Sequence, residues 1–212
     1  VAIDTTRLNQ VLAIDKTSMT ATAEAGIYGP VLEQRLSAEG VMLGHYPQSF
    51  EFSTLGGWIA ARGAGQQSNR YGKAEHWLVS ARLATPAGAW STEGFPASAA
   101  GMRLTDLVAG SEGTLGIITD ATFAVHERPA ARDYRAYLFR SFEAGREAVR
   151  EIVQAEIPAA TLRLSDEDET HFFGALGRLQ GPPKFGHRVQ DAYLKLRGLG
   201  GDKCAMIAGV EG

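Results

Sequence analysis

A single cysteine, Cys204, stands in the 212-residue sequence. That excludes a disulfide framework and any zinc site built on several thiolates, and it fits a reducing compartment. No apolar run approaches the roughly 18 residues that a membrane helix needs. Excess charge of one sign is missing too, since 21 basic residues face 24 acidic ones for a net charge of −3. A nucleic-acid partner held by a basic surface is therefore not expected. The common nucleotide fingerprints are also absent. Gly198-Leu199-Gly200-Gly201-Asp202-Lys203 puts lysine where the last glycine of a dinucleotide loop belongs. Gly72-Lys73 lacks the upstream glycine and the following hydroxyl of a phosphate-binding loop. His45, His76, His126, His171 and His187 show no metal-ligand spacing and read as surface or packed histidines. Ser111 lies in Gly-Ser-Glu-Gly, which is not the nucleophile elbow of a hydrolase. Cys204, in an apolar run, reads as a small core residue.

What is present is a globular composition, with 44% hydrophobic and 21% charged residues, so disordered and fibrous classes are excluded. The length allows one large domain or two small ones and a proper core. Glycine is the outlier: 25 residues, about 12% against a typical 7% or so. The chain opens on Val1-Ala2-Ile3-Asp4, with no methionine and no charged leader. It closes on the apolar run Ala205–Val210, with no capping residues. Ends of that kind lead us to expect an internal segment of a longer protein.

The hydrophobic pattern predicts a hairpin from Val11–Ile14 and Ala21–Ala25 around the polar turn Asp15–Ser18. A helix is expected from Gly29-Pro30 to Gly40, with Leu32 and Leu36 on its inner face and Glu33, Gln34 and Arg35 outside. The segment from Gly44 to Gly72 has no sustained period, and only one short helix is expected, near Trp58–Ala61. Strands are expected over Trp77–Thr85, Ala89–Ser91 and Ile117–Val125. His126–Arg132, with Pro129, breaks the pattern and is read as a domain boundary. Beyond it come a strand over Tyr134–Phe139, a helix over Phe142–Ala155, and a strand over Thr161–Leu164. The helix carries Phe142, Ala148, Val149, Ile152 and Val153 inside, and Glu143, Arg146, Glu147, Arg150 and Glu151 outside. From Gly174 to Gly201 a loop-rich stretch with one helix is expected, then a last strand over Cys204–Val210. The fold class is α+β in two pieces.

Two glycine-rich loops carry the chemistry. The first runs from Pro47 to Trp58 and on to Gly65; the second is Gly110-Ser111-Glu112-Gly113-Thr114-Leu115-Gly116, feeding Ile117 and Ile118. Adjacent glycines free the backbone to turn several N–H groups toward an anion or a planar ring, with Ser and Thr hydroxyls beside them. Tight turns in a β-rich domain would use the same composition, and the residues alone leave both readings open.

Ser49-Phe50-Glu51-Phe52-Ser53-Thr54-Leu55-Gly56-Gly57-Trp58, then Asn69-Arg70-Tyr71-Gly72, then Gly110–Thr119, resemble the FAD-linked oxidases of the vanillyl-alcohol oxidase and p-cresol methylhydroxylase type. Within that group the Glu-Phe-Ser-Thr stretch and Pro158–Leu164 are most similar to the alkyldihydroxyacetonephosphate synthases. The resemblance implies FAD as cofactor, with contacts from Gln48, Ser49, Phe50, Glu51, Phe52, Ser53, Thr54, Gly56 and Gly57. Further contacts are implied from Ala61, Arg62, Gly63 and Ala64, and from Glu112, Gly113, Thr114, Leu115, Gly116, Ile117 and Ile118. Gln48, Ala61 and Ala64 stand where the synthases have aspartate, threonine and serine, so polar side chains near the cofactor are lost. Arg163 matches an active-site arginine. The residues themselves also allow it to be a surface residue paired with Asp166, Glu167, Asp168 or Glu169.

The resemblance further implies residues 1–127 as the C-terminal portion of an FAD-binding domain and residues 128–212 as the start of an α+β substrate or cap domain. The activity implied is ether-lipid bond formation through a flavin N5 adduct. Oxidation of 2-hydroxyacids or alcohols by FAD is the alternative, and a non-catalytic segment without flavin is a third. The family's upstream pyrophosphate loop and its downstream tyrosine and histidines have no match in this sequence, so no general acid or base is assigned. A small-molecule or lipid-like substrate, a cytoplasmic or membrane-associated setting with peripheral membrane contact, and a homodimer are expected. No metal is expected.

Overall fold

A computed structural model describes residues 3–95, 98–179, 194–198 and 200–212. The chain divides into two compact units, Val1–Pro129 and Ala130–Gly212.

In the first unit, β1 (Val11–Asp15) and β2 (Thr20–Glu24) form the expected hairpin. The Asp15 carboxylate accepts the amides of Thr17 and Ser18 at 2.8 and 3.1 Å, which fixes the turn. Strand β2 alternates, with Ala21 and Ala23 buried and Thr20, Thr22 and Glu24 half-buried. Next come α1 (Gly29–Ala38), β3 (Val41–Met42), α2 (Leu55–Ala60), α3 (Ser68–Tyr71) and α4 (Ala74–Trp77). They are followed by β4 (Leu78–Thr85), β5 (Gly88–Ser91), α5 (Thr105–Val108), β6 (Ile117–Ala124) and β7 (His126–Glu127). Five strands pair antiparallel in the order β1-β2-β6-β4-β5. Ile27, Leu32, Leu36, Leu43, Leu55, Ile59, Leu83 and Phe123 are wholly buried and form one core with Trp58 and Trp77. Each such side chain contributes about 1.5–3 kcal/mol of burial.

Two expectations need correction in this unit. Glu33 does not face solvent. It is buried, and one of its carboxylate oxygens accepts the amides of Leu43 and Gly44 at 3.2 and 2.9 Å. Those amides sit where the chain turns inward after β3, and a buried donor needs an acceptor. His126 and Glu127 are not irregular either: they form β7, which pairs with β3 through Met42↔His126 and Val41↔Glu127. Helices α3, α4 and α5 are each four residues long, too short to show a period.

The second unit contains β8 (Arg132–Phe139), α6 (Phe142–Gln154), β9 (Ala159–Leu164), α7 (Glu167–Leu179) and β10 (Cys204–Glu211). Its antiparallel sheet has the order β8-β10-β9. Ser141 caps α6 by accepting the Ala144 amide at 3.3 Å. The inner stripe of α6 is Gly145, Ala148, Val149 and Ile152. Phe142 and Val153, expected inside, are exposed at 39% and 58%, because both lie toward one margin of that stripe. Helix α7 starts well before Gly174. Its first turn carries Glu167, Asp168 and Glu169, and the Asp166 carboxylate accepts the Glu169 amide at 2.8 Å. The remainder of the expected loop-rich stretch, including His187, lies outside the described residues. Cys204 is fully buried, as expected of a core residue. Among the described residues no helix is long and apolar enough to cross a membrane.

Candidate cofactor site

The first glycine-rich segment is built by its own side chains. The Phe50 and Phe52 amides donate to the carbonyls of Pro47 and Ser49 at 3.0 and 2.8 Å, which makes a tight turn. Ser53 Oγ donates back to the Ser49 carbonyl at 2.7 Å and accepts the Trp58 indole N–H at 2.6 Å. Trp58 is buried and stacks parallel to Phe50, with centroids 6.2 Å apart. The tryptophan after the double glycine is thus an anchor for the turn. Thr54 begins α2 by accepting the Gly57 amide at 3.3 Å. Phe52 is left 83% exposed.

The second segment turns just as tightly. Thr114 donates both its amide and its hydroxyl to the Ser111 carbonyl, at 2.9 and 2.6 Å. Glycine is required here for two different reasons. Gly116 has φ +149° and a Cβ there would lie 2.6 Å from the Ala84 carbonyl oxygen, so neighbouring β4 backbone excludes any side chain. Gly113 has φ +79°, and a Cβ there would meet nothing within 4 Å. Its conformation demands glycine, and the space before it is open.

The two segments meet. Thr54, Gly56, Gly57, Gly113, Gly116, Ile117 and Ile118 line one cleft of about 260 Å³, together with Thr5, Ala25 and Ala60. Gln48, Ser49, Phe50, Glu51, Phe52, Ser53, Ala61, Arg62, Gly63, Ala64, Glu112, Thr114 and Leu115 do not form its wall. Ala60 adjoins a segment already singled out. Thr5 and Ala25 carry no sequence signal, since only the folded sheet brings them there. Ile118 faces the core and is 7% exposed, while Leu115 and Ile117 are exposed at 42% and 39%.

Other groups bear on the site. Arg62 turns its guanidinium toward the second segment, donating Nε to the Ala109 carbonyl at 3.1 Å and Nη2 to the Asp106 carbonyl at 3.2 Å. His45 is buried between Trp58 and Trp77, with centroids 4.8 and 5.3 Å away, and burial pushes its pKa down to about 4. Neither of its ring nitrogens has a hydrogen-bond partner among the described residues. The Ser111 hydroxyl is likewise buried and unpartnered.

In the second unit, Arg163 lies on β9 opposite Ile207 of β10. Leu162 and Leu164, its neighbours along the strand, take the other face. Its guanidinium pairs with Glu169 of α7 and lies 5.5 Å from the centre of the Phe173 ring. The acidic run after β9 therefore does contribute a partner to Arg163, and the side chain keeps 42% exposure. Among the described residues no cluster of His, Cys, Asp and Glu could hold a metal ion.

The cleft suits part of a large flat cofactor. It offers open space at Gly113, exposed apolar surface at Ile117, and the Thr54 hydroxyl. The volume lies just below the roughly 300–1,000 Å³ usual for a pocket that encloses a whole ligand. These features fit the edge of a flavin.

Such a mixed helix-and-sheet unit, with two glycine-rich rims on one cleft, fits an FAD-binding fold, and residues 1–92 match the family described as an FAD binding domain. Over most of its length the chain is similar to alkyldihydroxyacetonephosphate synthases. It is 45% identical over 170 residues to the enzyme of Dictyostelium discoideum and 40% identical over 170 residues to that of Trypanosoma brucei brucei, with 80% of this chain covered in both. It spans 28% of the length of each of these relatives. A solved structure of alkyldihydroxyacetonephosphate synthase superposes with a TM-score of 0.85 at 39% identity, covering 99% of this chain and 38% of that one. The resemblance carried by the glycine-rich motifs is borne out, and with it the mixed α and β fold.

Proposed function

We propose that this chain serves an FAD-linked enzyme of the alkyldihydroxyacetonephosphate synthase type. Such an enzyme replaces the acyl group of an acylated dihydroxyacetone phosphate by a fatty alcohol, releasing the carboxylic acid and forming an ether. The observation that carries the reading is the meeting of Thr54–Gly57 and Gly113–Ile118 on one cleft, in a chain 45% identical to a synthase over 170 residues. FAD, when bound, supplies the reactive flavin ring. The chain supplies the seat: backbone at Gly56, Gly57 and Gly113 admits a planar ring closely, and Ile117 adds apolar surface beside it. The unit Val1–Pro129 holds the cofactor, and residues from Ala130 onward begin the part that covers the substrate. Arg163 binds the anionic group of that substrate, since a guanidinium matches phosphate or carboxylate with two parallel donors. A lipid-like substrate, peripheral contact with a membrane and a homodimer belong to the same reading.

The test uses two glycines that differ in what surrounds them. In the intact enzyme, Gly113→Val should lower FAD affinity by at least about tenfold while the protein stays folded, because its methyl groups enter open space and the φ strain costs about 1–2 kcal/mol. Gly116→Val is the contrast: collision with the Ala84 carbonyl should destabilise the fold whether or not flavin binds. Unaltered FAD occupancy in folded Gly113→Val would remove the cofactor from this cleft. Formation of the ether product from an acylated dihydroxyacetone phosphate and a fatty alcohol, followed by mass spectrometry, tests the reaction itself.

A further inference from the structure

We infer that Arg62 is a positioning residue that clamps the two glycine-rich rims into one unit, an inference that rests on the FAD reading of the cleft. Arg62 follows Ala61, the residue that caps the end of α2, and has φ +54°, a left-handed conformation that a residue with a Cβ adopts only when its surroundings compensate. The compensation lies in its side chain. Nε and Nη2 reach the carbonyls of Ala109 and Asp106, at the end of α5, where carbonyls lack partners within their own helix. Two backbone bonds flank this fork. The Gly110 amide donates to the Ile59 carbonyl at 3.0 Å, and the Glu112 amide to the Ala60 carbonyl at 3.1 Å. Glu112 is itself at φ +47°, so each rim holds one non-glycine residue in the left-handed region, and the four bonds join them.

Residues 59–62 and 106–112 are thereby fixed against each other, and the chain enters Gly113–Ile118 from that fixed point. A cation used in this way does not act by meeting a phosphate of the cofactor. Lysine cannot reproduce the action, because a single ammonium group lacks the rigid fork that spans two carbonyls.

The experiment uses the intact protein with Arg62→Gly, which relieves the backbone but removes the guanidinium, and Arg62→Lys, which keeps a cation and preserves folding if the glycine variant fails. Amide hydrogen exchange is read without FAD, and FAD affinity by titration. Exchange at Gly110 and Glu112 should accelerate by about tenfold or more in both variants, with the β2 and β4 amides unchanged. FAD should bind at least about tenfold more weakly, with an altered spectrum of the bound flavin. Unchanged exchange at Gly110 and Glu112 would overturn the clamp. Faster exchange with normal FAD affinity and spectrum would overturn its role in seating the cofactor. Wild-type protein without FAD affinity would sink the cofactor reading instead, and the exchange measurement would still decide the clamp.

Discussion

His45 shows how burial turns one side chain into a source of pH dependence. The imidazole is 1% exposed, lies edge-on to two indoles, and offers two nitrogens with no acceptor or donor nearby among the described residues. Desolvation disfavours the charged ring, so its pKa falls from 6.5 to about 4. The folded pKa is the depressed one, so the unfolded chain takes up the proton first as the solution is acidified. The neutral ring's contribution is complete above pH 6.5 and is lost progressively as the pH falls toward 4. The difference amounts to about 3 kcal/mol. Denaturant unfolding of the wild type should show stability falling through that window, and His45→Phe should flatten the slope there. An equally steep slope in the variant would assign the acid sensitivity to other groups. Cys204 illustrates the opposite sign: burial, with Glu167 beside it, raises the thiol to about 11. At neutral pH the thiol therefore stays protonated.

At the scale of elements, the pairing of β9 and α7 makes the role of Arg163 testable. Leu164 packs on α6, where a Cβ at Gly145 would lie 2.5 Å from its Cδ1. Arg163 takes the opposite face of the sheet, and α7 brings Glu169 to it. Both side chains are well exposed, and an exposed pair of this kind contributes less than about 1 kcal/mol. Arg163→Lys in the intact enzyme should lower turnover by roughly two orders of magnitude and leave FAD affinity and stability nearly unchanged, the scale set by loss of one oriented charge from a reaction site. Glu169→Gln should leave turnover close to wild type. Wild-type turnover in Arg163→Lys would reduce the arginine to a surface partner of α7. The same two elements show how local signals become legible. Asp166 followed by three acidic residues is the start signal of a helix, and α7 begins there.

Over the whole molecule, burial is uneven. The core of the first unit joins buried residues from Ala21 to Val125 in one cluster. In the second unit only Ala159, Ala160, Cys204 and Met206 are buried hydrophobics among the described residues, while Tyr134, Tyr137, Ile207 and Val210 stay exposed. Local stability follows buried apolar contact. In the 212-residue chain, amides of β10 should therefore exchange markedly faster than those of β6, though both are central strands of their sheets. Equal protection of the two strands would show that burial within each unit does not set its stability.

Much of this architecture was legible in the sequence because it rests on short-range physics. The Asp15 turn, the proline at the start of α1 and the Ser141 cap are local choices, and they fix the β1–β2 hairpin, α1 and α6. The glycine motifs likewise announce two rims of backbone. Other features depend on partners far along the chain. Glu33 reads as an outer helix residue until the amides of Leu43 and Gly44 come to it. His126 reads as a break until Met42 pairs with it. Thr5 and Ala25 join the cleft only through the folded sheet, and Arg62 reads as a cofactor contact until the end of α5 captures its guanidinium. The sequence by itself determined the elements and the residue types of the site, since propensity, capping and positive φ act over a few residues. Tertiary structure alone decided which of those residues share a cleft and which hold it in shape, because those contacts join segments tens of residues apart.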